Sequence, residues 1–449
     1  MKRLAVVLPL AVWFLVGCGG GGDSPVDQAK IAVLAPQDKQ SLLTYSANQP
    51  LVAMVPASFA RGIKHVVVAG WGYGVGVASQ PIPVKIYQIN SNGSGADVTK
   101  DILGGEQLAL TNVPLIADFN NDGIDDIFLP GFSDSGTMAS TGLIETLTSS
   151  TVFISRPGQS HQRSEIPGKT WSHGATPVDL NNDGHIDVIN NHGQMWINDG
   201  KGNFQFRQHN WDTNTTPGLW MHGSGVCAGD FNNTGRKQIV ITDLMVDANI
   251  GPIADTVIFE LNSELVPIIS HTLPVPVLDR NTTTSDASHD VGCVSVDLNN
   301  DGLLDILVFS RPNPTVNTSN WTNQGVVQVL INRGNWKFDD ITDVAMVGYP
   351  TQTLISYTPI VADFDSDGKP DLWMGYFDFD SGLANHAWIN NGAGIFTRTL
   401  KSIINSFKSN GPMVPIKFNE GYAFVYSKLT DHGLTFYVTT PQYTFNRSD

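Results

Sequence analysis

The stretch Asp118-Phe119-Asn120-Asn121-Asp122-Gly123-Ile124-Asp125-Asp126 decides the fold, because this chain of 449 residues writes the same nine-residue pattern five times. It recurs as DLNNDGHID from Asp179, DFNNTGRKQ from Asp230, DLNNDGLLD from Asp297 and DFDSDGKPD from Asp363. Alternating apolar residues such as Val113, Leu115 and Ala117 lead in, and runs such as Asp305-Ile306-Leu307-Val308 lead out, so each copy joins two strands. Most copies are followed by a third strand, an Asn/Gly turn and an aromatic residue: MWINDGKGNF from Met195, VLINRGNWKF from Val329 and AWINNGAGIF from Ala387. Strand, acidic loop, strand, strand, glycine turn and strand make one four-stranded antiparallel unit.

Two weaker copies extend the array, RGIKHVVVAG from Arg61 and NEGYAFVY from Asn419. The loop glycines Gly62, Gly123, Gly184, Gly235, Gly302, Gly368 and Gly421 then stand 51–67 residues apart and define seven units. That period is too short for a sandwich of roughly 100 residues. Repeated four-stranded sheets bury both faces by standing radially in a ring. The expected fold is therefore all-β: a seven-bladed β-propeller with calcium loops between strands 1 and 2 of its blades. Ring closure requires a strand from the N-terminal segment, with Ile31 to Leu34 the candidate to complete the last blade.

Positions 1, 3, 5 and 9 of an intact loop carry side-chain oxygens, position 6 is Gly, and position 7 can offer its carbonyl, which is a cage for a hard cation such as calcium. About four such sites are expected: Asp118, Asn120, Asp122, Ile124 and Asp126; Asp179, Asn181, Asp183, His185 and Asp187; Asp297, Asn299, Asp301, Leu303 and Asp305; and Asp363, Asp365, Asp367, Lys369 and Asp371. Ile124, His185, Leu303 and Lys369 would contribute through the backbone carbonyl alone, with the His185 side chain facing solvent. In the fourth unit Thr234 and Gln238 replace two carboxylates, leaving too little charge for a strong site. An EF-hand is excluded, since its twelfth position would be Leu129, Asn190, Val308 or Met374. The competing reading is an Asx-rich turn held by its own hydrogen bonds. The loops and the NxGxGxF turns resemble FG-GAP/VCBS repeats, the unit of the integrin α-subunit propeller and of many bacterial surface proteins, over about residues 50 to 445.

The chain begins with Lys2 and Arg3 ahead of an apolar run from Leu4 to Val16, too short to span a bilayer as a helix. Residues 1–17 read as a signal peptide whose end, Leu15-Val16-Gly17-Cys18, resembles the bacterial lipobox, with Cys18 the lipidated residue. Residues 18–30, rich in glycine, read as a flexible tether, and residues 31–449 as the propeller. Gly19 after the anchor points to the outer membrane. A formal charge of −16 repels nucleic acid, and only 15% of the residues are charged against 41% hydrophobic, a globular composition. Three cysteines exclude a disulfide scaffold or zinc cluster. With Cys18 lipidated, Cys227 and Cys293 remain as either a cross-blade disulfide or two buried thiols.

With the first strand innermost, the acidic loops and strand 3–4 turns share one face, and the longer insertions at residues 71–80, 131–150, 244–255 and 310–324 share the other. Insertions gathered on one face mark a binding face. There Trp171, His173, Trp220, His222 and His289 precede the inner strands and would crowd the channel mouth, either as ligand contacts or as inter-blade core. The functional expectation is a calcium-stabilised, membrane-anchored surface binding or adhesion lipoprotein recognising a glycan or protein partner. The alternative is a carbohydrate-active enzyme, polysaccharide lyase-like or hydrolytic, using the histidines at the channel mouth. No nucleophile motif or phosphate loop favours the enzyme.

Overall fold

A computed structural model of the chain describes residues 31–36, 50–74, 77–132, 148–170, 172–208, 225–242, 256–275, 288–312, 326–347, 359–374, 386–399, 412–430 and 433–445. The signal peptide, Cys18, the tether, Trp171, Trp220 and His222 lie outside them, and His289 is described by its backbone alone. Seven sheets follow one another along the chain, each of four antiparallel strands at its core, and they close into a propeller ring. In five consecutive blades the acidic loop lies between the first two strands. These pairs are Leu115–Ala117 with Asp126–Leu129, Ala175–Val178 with Asp187–Asn190, Gly225–Gly229 with Gln238–Thr242, Ser288–Val296 with Asp305–Pro312, and Pro359–Ala362 with Asp371–Met374. Position 9 of each loop is thus the first residue of the second strand.

The ring is closed by Ile31–Pro36, which pairs antiparallel with Gly433–Thr439 from Ile31 opposite Thr439 and becomes the outer strand of the seventh blade. An edge that would otherwise expose unpaired backbone groups is thereby covered by the other end of the chain. Blade one is larger than the repeat frame implies. The insertion at residues 71–80 is an extension of strand Ile63–Gly74 and a return strand, Val77–Pro83, so its backbone groups pair with each other. Two short helices, Thr99–Leu103 and Thr342–Ala345, follow the outer strands of blades one and five. Each starts where an aspartate two residues earlier, Asp97 or Asp340, accepts from the threonine N–H and hydroxyl.

Apolar side chains from facing sheets form the core between neighbouring blades. Trp196, Phe128 and Phe204 fill the gap between blades two and three, and Trp373, Phe424 and Phe445 that between blades six and seven. The inner strands of blades four and five approach closely: a Cβ on Gly225 would lie 2.3 Å from the Gly292 Cα. That approach brings Cys227 and Cys293 to a Cα–Cα distance of 5.6 Å, and they are joined as a disulfide rather than left as two thiols.

Candidate metal centres

The acidic loops are built from local rules. Position 4 is Asn121, Asn182, Asn233, Asn300 or Ser366, all at φ of 55–64°, and position 6, two residues on, is glycine at φ of 80–88°. Two residues with positive φ, one on either side of position 5, turn the chain back on itself, which asparagine tolerates and glycine adopts freely. The position-1 aspartate locks the turn by accepting from two backbone N–H groups. Asp118 takes those of Asp122 and Gly123 at 3.0 and 2.8 Å, and Asp363 takes those of Asp367 and Gly368, both at 3.0 Å. Asp179 and Asp297 do the same in blades three and five. The position-5 aspartates Asp122, Asp183, Asp301 and Asp367 each accept from the N–H of position 7, which is Ile124, His185, Leu303 and Lys369 respectively.

Position 9 ties the loop to the sheet. Asp126, Asp187, Asp305 and Asp371 are each 0% exposed. One carboxylate oxygen of each accepts from the N–H of position 2, namely Phe119, Leu180, Leu298 and Phe364. The other accepts from an N–H at the third-strand end, from Ser155, Asn198, Asn332 and Asn390. Burial pushes all four carboxyls up to about 7 against the pull of these bonds, with neighbouring loop aspartates adding repulsion. A buried carboxylate facing others is a site that gains from a cation.

Blade six meets the geometric requirement most directly: oxygens of Asp363, Asp365 and Asp371 lie within 4.8 Å of one another. In blades two, three and five position 3 is Asn120, Asn181 or Asn299, whose Nδ2 donates to the position-5 carboxylate. There a cation would displace those amide donors and draw in the carboxamide oxygens instead. Asp122 also accepts from the Ser155 hydroxyl, and Asp367 pairs with Lys369 Nζ at 3.0 Å. The donor set is entirely oxygen, which suits calcium and not a thiophilic metal.

His185 does not face solvent as the sequence suggested. It is half-buried, its Nδ1 accepts from Asn121 Nδ2 at 2.9 Å, and its ring lies over Gly200, where a Cβ would come within 2.4 Å. The neighbouring loop and the bare glycine of the strand 3–4 turn hold it there. Asn198, Asn332 and Asn390 were not singled out from the sequence, yet each Nδ2 reaches back to the preceding blade. They donate to the carbonyls of Phe119, Phe231 and Leu298 at 2.7–2.8 Å. The signal was present, an Ile-Asn pair before all three glycine turns, but only the ring supplies its partners.

On the opposite face the inner strands surround a cavity of about 50 Å³ lined by Leu115, Val226, Val294 and Phe309, with His173 at its edge. His173 packs against Phe132 at 5.6 Å, and Phe132 against Trp71 at 5.1 Å. Asn112 knits this row together by accepting from Trp71 Nε1 and donating to the His173 carbonyl. His289 is not in a connection ahead of its strand: it lies within Ser288–Val296, opposite Arg311, because a register shift between Asp290 and Gly292 lets the strand run on.

Residues 179–241 and 297–374 match the sequence profile of the FG-GAP-like repeat, the segments that begin at the Asp179 and Asp297 loops. The chain thus carries FG-GAP-like repeats in these two segments, set in a β-propeller of seven four-stranded blades closed in one ring. Solved structures of similar shape include a Bacillus licheniformis rhamnogalacturonan lyase, at 11% identity and a TM-score of 0.30 over 89% of this chain and 69% of that one. The exotype rhamnogalacturonan lyase YesX is similar at 10% identity and a TM-score of 0.31, over 90% of this chain and 75% of that one. Likeness at this level carries no argument about activity. No curated protein matches the chain.

Proposed function

We propose that this propeller is a calcium-stabilised binding module, anchored to the outer membrane through Cys18, that recognises a glycan or protein partner with the face opposite its acidic loops. The observation that carries the reading is the asymmetry of the faces. Every described acidic loop is a tight turn closed by its own hydrogen bonds and tied to its sheet by a buried aspartate or, in blade four, by Gln238. Such a surface has few groups left to offer a partner. The second strands end and the third strands begin on the opposite face, and there the sequence runs long between them: from Leu129 to Thr148, Thr242 to Val257, Pro312 to Val326 and Met374 to His386. When bound, calcium supplies the positive charge that the clustered carboxylates lack. The chain's own residues do the rest: position 1 shapes the turn, position 9 fastens it to the sheet, and Asn198, Asn332 and Asn390 fasten blade to blade. The anchor rests on the sequence from Leu4 to Cys18.

Glycan-array binding and a polysaccharide-degradation screen on one preparation of the domain, with Trp220→Ala and His222→Ala beside the wild type, test this reading. Binding without turnover, lost in both variants while calcium-dependent melting is retained, is the expected result. Polysaccharide cleavage would replace it with the enzyme reading. Loss of folding in both variants would make these residues inter-blade core.

A further inference from the structure

Blade four departs from the other acidic loops in its oxygen ligands at two positions, with Thr234 at position 5 and Gln238 at position 9, while the turn itself is kept. Asp230 accepts from the N–H groups of Thr234 and Gly235 at 2.9 and 2.6 Å, and Asn233 and Gly235 hold φ of 55° and 80° as in the intact copies. Gln238 is buried, and its Oε1 accepts from the Phe231 N–H at 2.7 Å, which is the bond one carboxylate oxygen makes in the other four blades. The second head-group atom differs. Gln238 Nε2 donates to Asn232 Oδ1 at 3.1 Å and to the Arg236 carbonyl at 2.8 Å, the side-chain oxygen of position 3 and the backbone oxygen of position 7. Those are two of the oxygens that the intact loops would turn on a cation. The Thr234 hydroxyl also donates to Asn232 Oδ1, at 2.8 Å. An amide nitrogen offers two N–H donors and partial positive charge, and both are spent where a cation would stand.

We propose that blade four carries a built-in replacement for the ion: the Gln238 amide nitrogen, helped by the Thr234 hydroxyl, holds the loop in its cation-bound shape, so this loop is indifferent to calcium. The proposal rests on the reading of the other four loops as cation sites. Its consequence comes from the neighbours. Asn182 of the blade-three loop donates to the Gly235 carbonyl at 2.7 Å, and Asn233 donates to the Gly302 carbonyl of the blade-five loop at 3.1 Å. Two calcium loops therefore lean on one whose shape is independent of calcium, in the blade that also holds Cys227 of the disulfide.

Calcium stoichiometry by equilibrium dialysis, on the wild type and on Thr234→Asp/Gln238→Asp, decides the matter. The expected result is about four ions for the wild type and one more for the double variant, with a larger fall in melting temperature on chelation. Five ions in the wild type, or no gain in a folded double variant, overturns the proposal. A wild type that binds none overturns instead the reading of the other loops on which it rests. The single variant Gln238→Ala gives an independent readout should the double variant fail to fold. A drop in melting temperature of equal size in calcium and in chelator supports the replacement, and a drop seen only in calcium refutes it.

Discussion

Removing the Cys227–Cys293 disulfide should cost more than emptying any single cation site. The bond closes a loop across a sequence separation of 66 residues between the inner strands of blades four and five. Chain entropy for a loop of that length gives about 4.3 kcal/mol of stabilisation through the unfolded state. One calcium site held at a hundred times its dissociation constant gives about 2.7 kcal/mol. Spread over the unfolding entropy of a chain of roughly 400 residues, the disulfide is worth about 5 °C in melting temperature. Both cysteines are buried, so the perturbation is best made as Cys227→Ala/Cys293→Ala, which leaves no unsatisfied hydroxyl where the sulfurs packed. The assay is near-ultraviolet circular dichroism on heating, in calcium and in chelator, with thiol titration of the denatured, unreduced domain lacking Cys18. The double variant should melt about 5 °C lower in both media, and the wild type should show no reactive thiol from this pair. Two reactive thiols in the wild type, or melting temperatures within a degree of each other, would refute the reasoning.

Asp363→Ala removes two backbone hydrogen bonds and a carboxylate of the blade-six cluster, whereas Asp230→Ala removes the hydrogen bonds alone. The first should lose most of its stability difference from wild type in chelator, and the second should keep about the same deficit, on the order of 1 kcal/mol, in both media by denaturant melts. Stability of the calcium-free protein should fall as pH rises. Asp126, Asp187, Asp305 and Asp371 hold protons up to about 7, well above the unfolded value of about 3.9, so their contribution is full below pH ~4 and is lost as pH passes through 7. His65, driven down to about 4 by burial and by His161, acts in the opposite sense, as does His161, but these are two groups against five, since burial also pushes Asp125 up to about 6. Melting temperatures from pH 5 to 8 should therefore decline in calcium-free buffer and hold level in millimolar calcium, and a rise in calcium-free buffer would contradict the burial of these carboxyls.

What the sequence determined by itself is whatever closes within a few residues. A left-handed Asn or Ser with a left-handed Gly two residues on, closed by an aspartate that accepts from the N–H groups four and five residues ahead of it, is a complete local structure, so five copies of it located five strand junctions. The period between them set the number of blades, but the sequence offered Ile31 to Leu34 only as a candidate closing strand, and it is the pairing of Ile31–Pro36 with Gly433–Thr439 that settles it. Tertiary structure decided whatever converges through space. Asn198, Asn332 and Asn390 find acceptors 79, 101 and 92 residues away, and the choice between a disulfide and two thiols depended on Gly225 letting its strand approach the backbone at Gly292. Gln238 shows the division within one residue. Its identity announced a weakened cation site, but that its amide nitrogen takes the cation's partners depends on where the Asn232 and Arg236 oxygens point once the strand is buried, and no spacing of letters encodes that direction.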